Sequence, residues 1–600
     1  MNVATFDIET DGLLEETTKV WCACIKDHNT GNIESFTPNN IRNLPDFLDA
    51  FDVLIGHNCI AFDFPVLKKI MGWTYGGQVI DTVLMSRLQR PSRRNPPEYI
   101  GRAPHSVEAW GHRLGVQKQE HNEWDRYSGA MLERCRTDVA LQYNIYEALL
   151  EEGKEQEWDY AHRLNARIFQ HLHEQEQYGF TINTAHLEKS VATLDRWMEK
   201  IERALASHLP YIVEKKETKK DGEYGWVRKP FRKDGGYSAS VVHTYGECDI
   251  NIVAGPFSRI AIRPISLDST IEVKDFLLAQ GWKPEKWNEK DGQRTSPNLS
   301  KDDPFKGIKG SLGRLVVKRI TCRQRRSVLE GWRMGMGGSG RLNPRVTGIA
   351  TTGRLRHGTI VNIPSPHSGA FFAKQMRQCF TARIGWKLVG ADSKGNQMRQ
   401  LAARMNDEEF TEAVLHGSQE EGTDLHSLNQ KRSGAATRSL AKNFFYGSIL
   451  FGAGDKKTAE LLDTTREKAK AIKEKYMSGM PKLKAVLEGL SKEWRITAQK
   501  RYSRKYNRIE YVDGYIKGID KRPILVPYEK DLLCYALQSD EAIHMGVAYV
   551  MVHKRAEQRG WIQGVDWGML IWMHDEFQME CRPEIAEELG QLACDAIAWA

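Results

Sequence analysis

The chain has 600 residues, of which 40% are hydrophobic and 27% charged, and its formal net charge is +8. This length predicts about four domains with several buried cores, and the positive charge permits a polyanionic partner without proving one. No apolar run is long enough to span a membrane, and acids at positions 7 and 9 exclude a secretory signal peptide, so we expect a cytoplasmic protein without a membrane partner.

The first elements of the chain predict an α/β unit. Alternating apolar residues over 3–10 and 20–26, followed by VLIGHN at 53–58, indicate strands, and 131–150 indicates a helix. Asp7 and Glu9 are two residues apart, so their side chains share one face of the first strand. They provide half of a divalent-metal site, unless that strand is an edge with a solvated face.

Two further acids in this unit stand beside apolar runs that could bury them. Asp63 lies in GHNCIAFDFPVL, and Asp138 lies in ERCRTDVAL. Together with the pair on the first strand they make four carboxylates, which can hold two hard cations for phosphodiester cleavage.

The middle of the chain changes from helical to irregular and back. Residues 156–207 repeat apolar positions at helical spacing, whereas 210–265 is rich in Lys and Gly and is interpreted as an insertion with its own small fold. The stretch VVKRITCRQRR at 316–326 then predicts a basic helix. The ten cysteines are scattered without a zinc spacing, which predicts reduced thiols.

The C-terminal part places acids at the ends of predicted strands. The segment LVGADSKGNQMRQLAARM leads an apolar strand into Asp392 and then a helix, and IWMHDEFQMEC places Asp575 and Glu576 in an apolar stretch. Read as one strand, this stretch would bury Asp575 among apolar neighbours, which is costly without a cation; the alternative is a turn between two short strands. On the predicted helix 437–454, the residues Arg438, Lys442 and Tyr446 share a face, which suits a triphosphate and its base.

The N-terminal motifs resemble those of the proofreading 3′–5′ exonuclease domain, which has an RNase H-like fold. The order FDIET, HNCIAFD, CRTDV implies that Asp7, Glu9, Asp63 and Asp138 are its metal ligands. That family usually has a Tyr four residues before the last Asp, or a His five before it, to orient or deprotonate the attacking water. Arg134 and Glu133 stand at those positions here, so the water-positioning partner is changed.

The C-terminal motifs resemble those of family A DNA polymerases, most closely the replicative enzymes of short-tailed bacteriophages. ADSKGNQMR, RSLAKNFFYG and HDE match the two catalytic motifs and the nucleotide-binding helix, and TGIATTGRLRHGTIVNIP matches the template-primer contact motif. The resemblance implies a right-hand polymerase that extends a primer on a template with dNTPs. It implies two Mg²⁺ ions per active site.

The resemblance also assigns roles to individual residues. It makes Asp392 and Asp575 metal ligands, places Asp575 and Glu576 at a tight hairpin turn facing Asp392, and makes Glu576 a less direct helper. The implied nucleotide-binding residues are His426, Arg438, Lys442, Tyr446 and Gln397, and the implied DNA-binding residues are Arg354, His574, Gln538, Lys318, Arg319 and Arg323.

Three positions depart from the family pattern. Gln397 stands where the family usually has the Glu that helps to exclude a 2′-hydroxyl, which leaves ribonucleotide discrimination open. YGSILFGAG holds one extra residue, so Leu450 or Phe451 takes the place of the family's second Tyr, and Cys534 replaces an Asn.

The resemblance divides the α/β multi-domain chain into an exonuclease domain and a hand. We expect the exonuclease at 1–155, the thumb at 156–345, the palm at 346–410 and 530–600, and the fingers at 411–529. The insertion at 210–265 lies where some phage enzymes recruit host thioredoxin for processivity. No 5′ nuclease domain is expected before residue 1, and the palm is expected to be incomplete at residue 600. A phage-encoded enzyme would act in the bacterial cytoplasm.

Two alternatives stay open beside a replicative polymerase with proofreading. One is a repair or lesion-tolerant polymerase with a weakened exonuclease, which Arg134 keeps open. The other is a non-catalytic DNA-binding protein, which gives no reason to keep isolated acids at strand ends.

Overall fold

The computed structural model describes all residues except 102, 117–120, 216–225, 247–252, 259, 291–292, 301–302, 309 and 504–506. The chain forms two compact units. The first consists of Met1–Ile182, Met336–Asn362 and Phe380–Ala600, and the second of Asn183–Gly335 and Ile363–Cys379.

The N-terminal part of the first unit is built on a five-stranded mixed sheet. The strand order is β3-β2-β1-β4-β5, in which β2 is antiparallel to β1 and β3, and β4 is parallel to β1 and β5. Phe6 and Ile8 bury one face of β1 in the core, as the period of two predicts. The strands are β1 Val3–Thr10, β2 Val20–Asp27, β3 Ile33–Phe36, β4 Val53–Gly56, β5 Gln78–Asp81 and β6 Phe180–Thr181; the helices are α1 Leu44–Leu48, α2 Asp63–Met71, α3 Thr82–Gln89, α4 Val107–Leu114, α5 Gly129–Gly153 and α6 Asp159–Tyr178.

The second unit contains two long helices that pack along each other, α7 and the basic helix α10. The insertion predicted at 210–265 contains the antiparallel pair β7 and β10, but 216–225, 247–252 and 259 lie outside the described residues. The elements here are α7 Thr184–Leu205, β7 Tyr211–Lys215, β8 Trp226–Val227, α8 Ala239–Tyr245, β9 Phe257–Ser258, β10 Ile260–Pro264, α9 Thr270–Ala279, β11 Trp287–Lys290, β12 Gln293–Pro297 and α10 Leu312–Gly335.

The C-terminal region combines a small antiparallel sheet with a group of helices. The sheet has the order β16-β22-β21, and α20 packs on it. The strands are β13 Arg341–Leu342, β14 Val346–Ile349, β15 Leu355–His357, β16 Lys387–Asp392, β17 Gln499–Ser503, β18 Arg508–Val512, β19 Gly514–Lys517, β20 Pro523–Val526, β21 Trp567–Met573 and β22 Glu576–Cys581. The helices are α11 Ala373–Arg377, α12 Asn396–Met405, α13 Glu408–Leu415, α14 Leu425–Ser433, α15 Arg438–Phe444, α16 Asp455–Leu462, α17 Arg466–Ser478, α18 Pro481–Thr497, α19 Leu532–Gln558 and α20 Ala586–Trp599.

Helix α6 belongs to the first unit and packs on α19 and β21. The sequence division placed it in the thumb, because its helical period continues towards α7. Its apolar residues Ile168 and Leu172 instead join the core that contains Met545 and Trp572. A periodic pattern shows that a helix has an apolar face but does not identify the surface on which that face packs.

Two predictions from composition can be compared with the described part of the chain. All nine cysteines found there are free thiols, and eight of them are buried. No helix in the described ranges combines the length and apolar character that crossing a bilayer would require.

Candidate active sites

The carboxylates predicted on the first strand converge with one from helix α5. Asp7 and Glu9 project from the same face of β1, and α5 packs on β1 so that Asp138 reaches them. One carboxylate oxygen from each of the three lies within 4.8 Å of the others. Glu9 and Asp138 are buried, with 7% and 4% of the whole residue exposed. Oxygen ligands grouped in this way fit a hard divalent cation.

Asp63 stands at the start of α2, close enough to Glu9 for their charges to repel. Burial is the main cause that raises the pKa of Asp63 to about 7, and the charges of Asp81 and Glu9 add to it. Backbone N–H groups of Asp63 itself and Ile8 act in the opposite direction. Asp63 thus senses the charge of Glu9 but is not among the three acids whose oxygens lie within 4.8 Å of one another.

Arg134 lies directly against the carboxylate cluster. Its Nε is 3.4 Å from Oε1 of Glu9 and 3.8 Å from Oδ2 of Asp138, one helical turn further along α5. On its other side, the guanidinium carbon is 5.0 Å from the ring centroid of Trp124. The residue that replaces the family's water-positioning partner is therefore a cation in contact with two predicted metal ligands.

The sequence interpretation missed one residue of this site. Gln142 is buried, and its Nε2 donates a 2.7 Å hydrogen bond to Oδ1 of Asp7. It follows Asp138 by four residues, and Asp138 follows Arg134 by four, so the three share one face of α5. That spacing was the signal that could have identified Gln142.

A cleft of about 1440 Å³ within the first unit opens beside the cluster and is rich in cationic side chains. Arg87, Arg134, Arg345 and Arg356 are among its lining residues, together with His105. Burial, followed by the charges of Arg87, Arg93, Arg113 and Arg356, lowers the pKa of His105 to about 3. The positive charges that add to this shift also favour a polyanionic ligand.

The second group of acids lies at a two-residue turn. Strands β21 and β22 pair with Met573 opposite Glu576, so His574 and Asp575 form the turn of a hairpin. Strand β16 pairs with β22, which sets Asp392 opposite Glu576. Of the two interpretations of this segment, the turn is the one observed, and it faces Asp392 as the resemblance implied.

Backbone and charge contacts join the two catalytic motifs. The N–H of Ser393 donates a 2.8 Å hydrogen bond to the carbonyl of Asp575. Partial burial, followed by the charges of Asp575 and Glu576, raises the pKa of Asp392. Glu576 also accepts a hydrogen bond from Gln578, two residues along the same strand face. Repulsion between these acids is the property that a bound cation would remove.

His574 has a backbone φ of +57°, which is the left-handed region. Its carbonyl accepts a 2.8 Å hydrogen bond from Nε1 of Trp572. Partial burial, followed by the charge of Arg354, lowers the pKa of its ring, and Asp575 opposes this. A non-glycine residue in this conformation is strained, and such residues cluster at functional sites, where the side chain has a role.

The predicted nucleotide-binding residues come together at helices α14 and α15. The rings of His426 and Tyr446 are 5.7 Å apart. Burial, followed by the charges of Arg438 and Lys442, lowers the pKa of His426. Asp424, which the sequence interpretation missed, holds Arg438 through two hydrogen bonds of 3.1 and 2.6 Å.

The extra residue after Tyr446 is accommodated as a π-helix, Phe445–Leu450, that directly continues α15. A π-helical turn holds one more residue than an α-helical one and often occurs at functional sites. Leu450 is fully buried, whereas Phe451 is 49% exposed. Of the two residues proposed for the second Tyr position, only Phe451 is accessible to a ligand.

Arg354 and Gln397 share a partner that the sequence did not suggest. Both donate to the carboxylate of Glu541, which is 2% exposed; the bond from Gln397 is 2.9 Å long. Glu541 lies one turn after Gln538 on α19, and Nε2 of Gln538 donates to Sγ of Cys534 at 3.2 Å. A carboxylate is thus present beside Gln397, on a different helix.

The three basic residues of α10 differ in their surroundings. Arg319 is 8% exposed and pairs with Glu202 and Asp268, so its guanidinium is committed within the fold and is not displayed for phosphate contact. Nζ of Lys318 lies 3.9 Å from the ring centroid of Trp197. Arg323 is half exposed and donates to the carbonyl of Asp268.

Comparison with known proteins identifies relatives of this chain. The family model described as DNA polymerase family A matches residues 327–600. The DNA-directed DNA polymerases of Enterobacteria phage T3 and Escherichia phage T7 are each 25% identical over 99% of this chain and 96% of their own length. The thermostable DNA polymerase I of Thermus aquaticus is 27% identical over 42% of this chain and 30% of its own length.

A solved structure has the same fold. It is the POL domain of Pol1 from M. smegmatis in complex with DNA primer-template and dNTP, and it matches with a TM-score of 0.70. The match covers 99% of this chain and 92% of the other at 17% identity, and it confirms the predicted multi-domain α/β polymerase fold. This chain is a DNA polymerase whose residues 327–600 match family A and which resembles the enzymes of phages T3 and T7 over nearly its whole length.

Proposed function

We propose that the chain extends a DNA primer on a template at Asp392 and Asp575 and shortens the 3′ end of a strand at Asp7, Glu9, Asp63 and Asp138. The observation that supports synthesis best is the hairpin turn that brings Asp575 against the end of β16 beside Asp392. Phage relatives named DNA-directed DNA polymerase, matched over nearly the whole chain, favour replication as the setting.

The acids of the polymerase site are proposed to have different roles in the reaction. Asp392 and Asp575 would hold two divalent cations, which we take to be Mg²⁺. Glu576 is held by Gln578 and would assist less directly. Bound cations would activate the attacking oxygen and neutralise charge on the phosphates at either site.

The helix residues position the incoming nucleotide in this proposal. Arg438, Lys442 and His426 would bind the triphosphate, with the Arg438 guanidinium oriented by Asp424. Tyr446 would stack near the base and sugar. Arg354, His574 and Gln538 would contact the primer end and template, and Lys318 and Arg323 would grip the duplex backbone without reading sequence. We leave Arg319 out of this set because its charge is paired and buried.

The N-terminal site is proposed to be the proofreading exonuclease. The cationic cleft beside the carboxylates fits the phosphates of a single strand. The contact of Arg134 with Glu9 and Asp138 favours the second candidate, a polymerase whose exonuclease is weakened. The two candidates differ in the rate at which strands are shortened.

The remaining assignments concern organisation and partners. We propose the exonuclease at 1–155, the palm at 346–410 and 530–600, the fingers at 411–529, and the thumb from α7 to residue 345, with α6 as a link packed on the palm core. Primer-template DNA and dNTPs are the proposed substrates. A processivity factor such as host thioredoxin is proposed for the insertion at 210–265, and host bacterial cytoplasm is the proposed location.

One assay tests both sites. A labelled primer-template is incubated with Mg²⁺, with and without dNTPs, using the wild type and the variants Asp575→Ala and Asp7→Asn. We expect extension with dNTPs and shortening without them, loss of extension alone in Asp575→Ala, and loss of shortening alone in Asp7→Asn. Near-normal synthesis by Asp575→Ala would overturn the polymerase assignment, and extension without any shortening would favour the weakened exonuclease.

A further inference from the structure

Arg134 contacts two of the three carboxylates that would hold a divalent cation at this site. Arg134 lies 3.4 Å from Glu9 and 3.8 Å from Asp138, and both of these acids belong to the three whose oxygens lie within 4.8 Å of one another. The side chains involved are largely buried, at 15% exposure for Arg134, 10% for Glu9 and 5% for Asp138. Solvent therefore screens their charges weakly.

The electrostatics of the cluster explain why its acids need a positive charge nearby and why Arg134 and a divalent metal compete to supply it. Three carboxylates at this separation repel one another, and Arg134 partly neutralises them in the protein alone. A divalent cation held by the same carboxylates would be repelled by the guanidinium, and like charges repel strongly where water is scarce. The guanidinium of Arg134 must therefore move away from these carboxylates when the metal binds.

We propose that Arg134 is a resident counter-ion of the exonuclease carboxylates, which competes with the divalent metal and leaves Glu9 and Asp138 when the metal binds. This inference rests on the proposed exonuclease function and deepens it. Arg134 touches no reacting atom in this role, and it acts through the two acids that it holds. The consequence is a site that binds metal more weakly than the same three carboxylates would with a neutral neighbour.

The cleft provides a second place for the displaced guanidinium. Arg134 is itself one of the residues that line the cleft, beside Arg345 and Arg356, so a DNA phosphate bound there can accept its hydrogen bonds. A strand that draws Arg134 away from Glu9 and Asp138 strengthens metal binding. By thermodynamic reciprocity, metal then strengthens binding of the strand by the same factor. Loading of the site is in this way coupled to the arrival of a 3′ end.

The test is Mn²⁺ binding, followed by electron paramagnetic resonance, in full-length protein. The background Asp392→Asn with Asp575→Asn removes the other metal site, and Arg134 is then kept, changed to Gln, or changed to Lys. We expect R134Q to bind Mn²⁺ roughly tenfold tighter than the parent and R134K to stay close to the parent. A phosphorothioate single strand, which resists cleavage, should tighten Mn²⁺ binding in the parent and have less effect in R134Q.

Arg136→Gln is the matched control because it removes the same charge from the same helix. Arg136 pairs with Glu133 and Ser35 instead of the cluster, so its loss should leave Mn²⁺ affinity unchanged. Each variant with Asp392 and Asp575 intact reports its own folding through normal primer extension. Because R134Q leaves the acids uncompensated, its thermal stability in chelator should fall and should recover with Mn²⁺ more than that of the parent.

The outcomes separate this inference from the function on which it rests. Equal or weaker Mn²⁺ binding by R134Q, in a protein that still shortens primers, overturns the counter-ion role alone. Absence of binding in both the parent and R134Q overturns the role and the exonuclease proposal together. An equal gain of affinity in R136Q also overturns it, since the effect would then be a general one of net charge.

Discussion

The backbone N–H of Ser393 donates a 2.8 Å hydrogen bond to the carbonyl of Asp575. This bond joins the end of β16 to the turn between β21 and β22, so a main-chain contact holds the two proposed catalytic motifs together while their side chains repel. The positions of Asp392 and Asp575 therefore do not depend on an attraction between the residues themselves.

We expect Asp392→Asn to abolish primer extension while raising thermal stability in metal-free buffer. Partial burial, followed by the charges of Asp575 and Glu576, raises the pKa of Asp392, so ionised Asp392 destabilises the fold above its ordinary pKa, and the amide removes that cost. Thermal unfolding with chelator and with Mg²⁺ measures this. Mg²⁺ should stabilise the wild type more than the variant, and a variant less stable than wild type in chelator would contradict the argument.

Replacing the strained turn residue His574 should affect stability and activity differently. His574→Gly should keep or raise stability, by up to about 1 kcal/mol, because glycine adopts a φ of +57° without the side-chain penalty. Primer extension should fall, since the ring next to Asp575 is lost. Denaturant unfolding and extension kinetics on one preparation give both values. A variant with lower stability and normal extension would show that His574 is retained only for packing.

Buried Glu541 is expected to be energetically coupled to Arg354. Glu541→Gln should destabilise the protein by roughly 3 kcal/mol, because it leaves the Arg354 charge without its partner. In a double-mutant cycle with Arg354→Met, the second change should cost much less in the Glu541→Gln background. Urea unfolding of the four proteins measures the coupling. Additive costs would mean that the ion pair contributes no net stability.

Some of these contacts could be predicted from sequence, and the reason is their spacing. Asp7 and Glu9 share a face because strands have a period of two, and Arg134, Asp138 and Gln142 share one because helices repeat at four residues. The burial of Arg319 could not be predicted, since Glu202 and Asp268 are distant in sequence. A basic run looks the same whether its charges are paired or displayed.

The π-helix is another feature that could be predicted only in part from the sequence. The extra residue after Tyr446 is visible in the sequence as a shifted motif, but whether a chain absorbs an insertion as a loop or as a wider helical turn depends on packing. Here the flanking Phe444, Phe445 and Leu450 are all fully buried, which keeps the segment helical. Phe451 is left at the surface as a consequence.

Tyr446 predicts efficient chain termination. The resemblance implies that a Tyr at this position accompanies tolerance of nucleotides that lack the 3′-hydroxyl, and the Tyr446 ring lies 5.7 Å from that of His426, another proposed nucleotide-binding residue. Primer extension with mixed dNTPs and dideoxynucleotides should give strong termination ladders, and Tyr446→Phe should weaken them at equal extension rate. Strong rejection of dideoxynucleotides by the wild type would refute the assignment.

Acid should destabilise the fold through His162. Burial lowers the pKa of His162 to about 4, and its ring stacks on Trp158 at 5.5 Å. The unfolded chain therefore takes up a proton near pH 6.5 that the folded chain refuses until about pH 4. Stability is unaffected above the unfolded value and falls as the pH drops through this window, by about 2 kcal/mol near pH 5 for this residue alone. We expect the free energy of unfolding, measured in urea between pH 7 and pH 5, to fall less steeply for His162→Phe than for the wild type. A change at the exposed His367 is the control and should leave this pH dependence as it is in the wild type. Equal pH dependence for His162→Phe and the wild type would assign the acid sensitivity to other groups.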